Sequence, residues 1–113
     1  MTDFKITQTR LFEKLIKKLS KRYINIESDI DLFIDTLKTS KDLGIPLGKN
    51  LFKARIKNSD ITKGKSAGYR LISYLNFVKK EITFIYIYSK SDLESISEKE
   101  IDIIVIKTII QSE

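Results

Sequence analysis

Hydrophobic residues fall along this chain in two periods, and the switches between them divide it into elements. Phe4 to Thr7 fits a short first strand. From Thr9 to Ser20, Leu11, Phe12, Leu15, Ile16 and Leu19 recur at helical spacing, with Lys14, Lys17, Lys18 and Lys21 on the opposite side. Ser28 then offers an N-cap, with Asp29 and Asp31 in a first turn where the helix dipole favours acids. Ile30, Phe33, Ile34 and Leu37 mark the buried stripe of this second helix. Lys38 and Lys41 complement its C-terminal end, and Gly44 and Pro46 stop it. Two helices joined by a short loop predict a helical hairpin lying across a sheet.

The period changes to two at Leu51. Phe52, Ala54 and Ile56 point to one side of a strand, and Lys53, Arg55 and Lys57 to the other. A polar loop with Lys63, Gly64, Lys65 and Gly68 leads to a second strand, Tyr69 to Phe77, in which Leu71, Leu75 and Phe77 alternate with Arg70, Ile72 and Tyr74. Val78 to Glu81 must turn without a Gly or Asn of its own. Ile82 to Tyr88 is aromatic and β-branched on both faces, which predicts a central strand. Ser97 and Glu100 have capping-box spacing, and Ile96 with Ile101 makes a hydrophobic staple, so the β-prone run Ile103–Ile106 is assigned to a final helix. The order β-α-α-β-β-β-α predicts an α+β fold with a mainly antiparallel sheet, in one domain over 1–113.

Composition narrows the chemistry. The 113 residues carry a net charge of +6, which suits a polyanion or an acidic protein partner. With no cysteine there is no thiolate nucleophile or zinc thiolate site. With no histidine, the usual general base near pH 7 is missing. No ligand cluster points to a metal or cofactor. No apolar run approaches the roughly 20 residues that span a bilayer, and no signal-peptide pattern opens the chain, so a cytoplasmic protein without a membrane partner is expected.

The candidate chemistry lies in the basic strand and the loop after it. If the two strands pair, Lys53, Arg55, Lys63, Lys65 and Arg70 converge on one surface suited to phosphate. The competing reading of Lys53, Arg55 and Lys57 is the solvated face of an edge strand. Arg70 has the alternative of pairing with Asp60 or Glu81. Tyr74, Tyr86 and Tyr88 have the alternative of sheet packing. Gly64-Lys65-Ser66 is not a phosphate-binding P-loop, because the spaced upstream glycine is missing and a strand follows rather than a helix.

Gly64-Lys65-Ser66-Ala67-Gly68-Tyr69-Arg70 resembles the GKSGG-[YA]-R signature of RelE/HigB-like toxins of type II toxin–antitoxin systems. Lys21-Arg22-Tyr23, Leu43 to Gly48 and Ile87 to Ser91 fit the same frame in order. The resemblance implies a metal-independent mRNA endoribonuclease that inhibits translation, probably on the ribosome, with a cognate antitoxin as partner. It implies a phosphate clamp for Arg70, backbone contact or base chemistry for Lys53 and Arg55, and a place for Tyr88 and Lys90 at the far side of the substrate. Lys57, Lys63 and Lys65 would hold RNA, and Tyr74 or Tyr88 would stack on a base. As a surface clamp, Arg70 is expected to be replaceable by alanine without loss of the fold. Ser91 stands where some members carry arginine, and Leu93 to Glu98 lacks the tyrosine that some members carry. A ParE-like gyrase inhibitor, a non-catalytic RNA-binding module and an inactive remnant therefore remain as alternatives.

Overall fold

In the computed structural model, which describes residues 1, 3–61, 67–93 and 96–111, five strands form a single sheet. The elements run β1 (Lys5–Gln8), α1 (Arg10–Leu19), α2 (Ile26–Asp35), a 3-10 turn (Ser40–Leu43), β2 (Ile45–Gly48), β3 (Leu51–Ile56), β4 (Tyr69–Asn76), β5 (Glu81–Ser89), a short 3-10 turn (Lys90–Asp92) and α3 (Glu98–Gln111). The strand order is β1-β5-β4-β3-β2. β1 runs parallel to β5 and every other pairing is antiparallel, so the fold is α+β with a mostly antiparallel sheet.

Three elements differ from the sequence expectation. β2 is a fourth-to-last strand that the pattern did not give. Gly44 and Pro46 read as helix breakers, yet Pro46 sits on the sheet edge, where its missing N–H costs no ladder bond. Lys49 and Asn50 close the β2–β3 hairpin with φ of 54° and 62°, the positive values that a two-residue hairpin turn needs at both positions.

Helix α2 starts at Ile26, not after Ser28, and ends at Asp35. Its start is held from outside: the Asn25 backbone N–H and Nδ2 both donate to the Asp60 carboxylate, at 3.0 and 2.8 Å. Ser28 lies inside the first turn, its hydroxyl donating to the Asn25 carbonyl. Asp29 is buried and accepts from the Ser59 N–H and hydroxyl, tying the helix to the segment after β3. Lys38 and Lys41 lie beyond the helix, in a turn organised by Asp42, whose carboxylate accepts from the N–H groups of Lys38 and Thr39.

The third difference lies within β5. Phe84 and Ile87 are three residues apart but bury on the same side of the sheet. A bulge makes this possible: Ile72 pairs with Tyr86 and Ser73 with Phe84, leaving Ile85 as the extra residue. Without that residue every side chain beyond it would change face.

The main core lies between the helical hairpin and one face of the sheet. Phe12 and Ile16 of α1 and Ile26 and Ile30 of α2 meet Ile56, Tyr69, Leu71, Leu75, Ile82 and Phe84. Thr9 caps α1 by accepting from the Phe12 N–H at 3.0 Å. The opposite sheet face carries a smaller cluster of Leu51, Ile72 and Val105, with Tyr74, Tyr86 and Ile101 packed at its margin. Helix α3 therefore covers the face that carries the basic row. Ser97 caps it as expected, accepting from the Glu100 N–H at 3.2 Å.

Candidate functional site

Strand register aligns the cationic residues. Arg55 of β3 stands opposite Arg70 of β4, and Arg70 stands opposite Tyr88 of β5. Residues directly opposite in antiparallel strands share a face. Arg55, Arg70 and Tyr88 thus form one row across three strands. Lys53 lies two residues along β3 from Arg55, on the same face. Four of the five residues singled out for catalysis therefore converge.

Their surroundings differ from the open surface expected from sequence. Arg70 is 0 % exposed, and its Nε donates to Glu98 Oε1 at 2.8 Å. A second contact runs from Nη1 to the Tyr69 carbonyl at 3.4 Å. The expected acids are not its partners in these contacts: Asp60 binds Asn25 instead. The Lys53 side chain is 10 % exposed, with Nζ 2.6 Å from Asp102 Oδ2 and 3.1 Å from Glu98 Oε1. Glu98 and Asp102 are one turn apart on α3, so one helix face brings both carboxylates onto both cations. Arg70 is consequently a buried ion-paired residue, and the expectation of a surface clamp removable without cost to the fold is corrected.

Electrostatics follow this geometry. Burial pushes the Glu98 carboxyl up, but hydrogen bonds from Arg70 and Lys53 outweigh it and hold the carboxyl below its ordinary value. Burial raises the Tyr88 phenol, and the Asp102 and Glu98 charges raise it further against the opposing effect of Arg70. The Tyr88 hydroxyl is buried and has no hydrogen-bond partner. Its ring packs against Tyr86 at 6.2 Å between centroids.

A cleft of about 600 Å³ opens beside this row, with Lys41, Lys53, Arg55 and Lys99 on its walls and Glu98 and Asp102 where α3 meets β3. Lys41 and Lys99 were not singled out by sequence. Lys41 read as a helix-end charge, and Lys99 gains its place only from where α3 docks, which no local pattern encodes. Gly44 sets the wall beside Lys41. Its φ is +101°, and a Cβ there would lie 1.9 Å from the Lys53 carbonyl oxygen, so only glycine lets this segment close on β3.

The remaining candidates lie apart from the row. Lys57 is exposed and lines a separate hollow with Asp29, Phe33 and Ser59, which Arg55 also borders. Tyr74 is half-buried in the cluster beneath α3, so it packs rather than presenting a face for base stacking. Lys90 is exposed, with its backbone N–H tied to the Gly68 carbonyl at 3.0 Å. Lys63, Lys65 and most of the signature loop lie outside the described residues. Ser91, in the position of the arginine of some family members, joins a structural network: its hydroxyl is 2.9 Å from that of Ser89 and 3.3 Å from that of Tyr23. Among the described residues, no group of His, Cys, Asp and Glu is placed to hold a metal ion. None of their helices is long and apolar enough to cross a membrane.

Fold and site define a small α+β protein with a cationic row on one sheet face and a helical hairpin on the other. The family model describing the RelE toxin of the RelE/RelB toxin–antitoxin system matches residues 4–109, and the chain belongs to that family. It is thus the toxin of a toxin–antitoxin pair, with a cognate antitoxin as its partner. The crystal structure of the isolated Escherichia coli RelE toxin superposes with a TM-score of 0.51 at 16 % identity, over 94 % of this chain and 98 % of that one, which shows the shared fold. No curated protein sequence matches the chain.

Proposed function

We propose that this toxin is a metal-independent endoribonuclease that cuts mRNA on the ribosome. The row Arg55–Arg70–Tyr88, flanked by Lys53, carries the reading. Cleavage would proceed by attack of a ribose 2′-OH on the adjacent phosphate, giving a 2′,3′-cyclic phosphate and a 5′-OH. The pentacoordinate phosphorane gains negative charge, and guanidinium and ammonium groups stabilise that charge where it forms. Lys53 and Arg55 border the cleft, and Arg70 backs them. A site without histidine depends strongly on substrate positioning, which an mRNA held in a ribosome would supply. Lys41, Lys57 and Lys99, with Lys63 and Lys65, would hold RNA backbone.

The test is purified toxin with ribosomes carrying a defined mRNA. Cuts within the A-site codon, ending in a cyclic phosphate and blocked by 2′-deoxy substitution at the cut, are expected. Intact mRNA at saturating toxin would refute the proposal. The full cover over Arg70 favours one second reading, RNA binding without chemistry, which predicts salt-sensitive binding and no new ends.

A further inference from the structure

The residues proposed to meet phosphate are already occupied. Glu98 Oε1 lies 2.8 Å from Arg70 Nε and 3.1 Å from Lys53 Nζ, a position that an anionic oxygen bridging the two cations would take. Asp102 Oδ2 takes a second such position, 2.6 Å from Lys53 Nζ. Both acids lie in the first turns of α3, and the unpartnered Tyr88 hydroxyl and half-buried Tyr74 lie on the face that this helix covers. While α3 stays docked, Arg70 has no surface for a substrate to touch.

The docking itself is thin. Among the hydrophobic side chains of α3 described, only Val105 is buried; Ile103 and Ile104 are 44 % and 54 % exposed. Ile101, Ile103, Ile104, Val105, Ile106 and Ile109 spread around the helix rather than forming one stripe, so no single face is committed to the sheet. The two carboxylates supply the charged anchors of α3 to the sheet.

We infer that α3 is a self-masking latch, whose Glu98 and Asp102 hold the places of two RNA phosphate oxygens and which must lift for the backbone to reach Arg70 and Lys53. This deepens the proposed function and rests on its assignment of RNA phosphate to this site. Docked and lifted forms compete for the same cations, so RNA bears the cost of opening and the parent chain binds it more weakly than its charge suggests.

The test uses the full chain and a short, fully 2′-O-methylated RNA, which cannot be cut. By fluorescence anisotropy, the double variant Glu98→Gln/Asp102→Asn is expected to bind about tenfold more tightly than the parent. The double variant Glu27→Gln/Asp31→Asn makes the same charge change on the exposed side of α2 and should stay within about twofold of the parent. Equal tightening by both pairs would show simple charge, and no tightening by the first would show no mask; either overturns the latch. The unaltered chain gives a second reading should the first pair not fold: the amides of residues 102–108 should exchange faster with the RNA bound, and slower or unchanged exchange overturns the latch. Cleavage is read separately with unmodified mRNA on ribosomes. Tightening without cuts would sink the nuclease and keep the latch; cuts without tightening would do the reverse.

Discussion

Arg70 shows how much a residue's meaning depends on its neighbours. Its side chain is fully buried against the Glu98 carboxylate, so removing it leaves a buried acid short of a cation. Arg70→Ala should cost about 3 kcal/mol of stability, read as a lowered urea midpoint. Arg70→Lys keeps a charge beside Glu98 but loses the planar fork, so it should retain a cooperative melt while cleavage falls. A parent-like midpoint for the alanine variant would contradict the burial. Glu98 also gives the site a pH signature. Its carboxyl is held below the ordinary value of 4.5, so the pairing contributes stability above that value and loses it as pH falls through the depressed one. Glu98→Gln should flatten stability against pH in that acid window, measured by urea melts, and an unchanged slope would show that the pairing does not contribute.

At the scale of elements, the sequence was most legible where local chemistry and burial agree. Thr9 caps α1 and Phe12 and Ile16 bury, as the helical period required. The alternation in β3 was also legible, with Ala54 and Ile56 buried toward the hairpin and Lys53 and Arg55 turned the other way. What was not legible came from distant partners. Asn25 starts α2 because Asp60, 35 residues later, accepts its N–H groups. Strand β2 exists because an edge tolerates Pro46 and because Lys49 and Asn50 adopt positive φ. Gly68 was read as a turn residue, and its requirement is steric: a Cβ would stand 2.1 Å from the Ile56 carbonyl oxygen. Gly68→Val should therefore part β3 from the start of β4 and cost about 2 kcal/mol or more, seen as a lower melting midpoint. A variant as stable as the parent would show that the approach is not obligatory.

At the scale of the whole molecule, the sheet separates two tasks. One face buries the main core against the hairpin, and the other lines up Arg55, Arg70 and Tyr88 under α3. The family and fold were legible because the signature residues and the order of elements survive in the sequence, and the matched family model spans residues 4–109. The state of the site was not legible, because it depends on Glu98 and Asp102 reaching residues 28 and 49 positions earlier in the chain. The net charge of +6 gives the molecule a general attraction for RNA, but attraction alone makes no cuts. The most direct measurement of the central claim is RNA 5′-end mapping in cells after brief induction of the chain, beside the Arg70→Lys variant. New ends inside coding sequences, phased with codons and at least about tenfold rarer with the variant, are the expected result. Growth arrest with no new ends, or ends equally abundant with the variant, would contradict it.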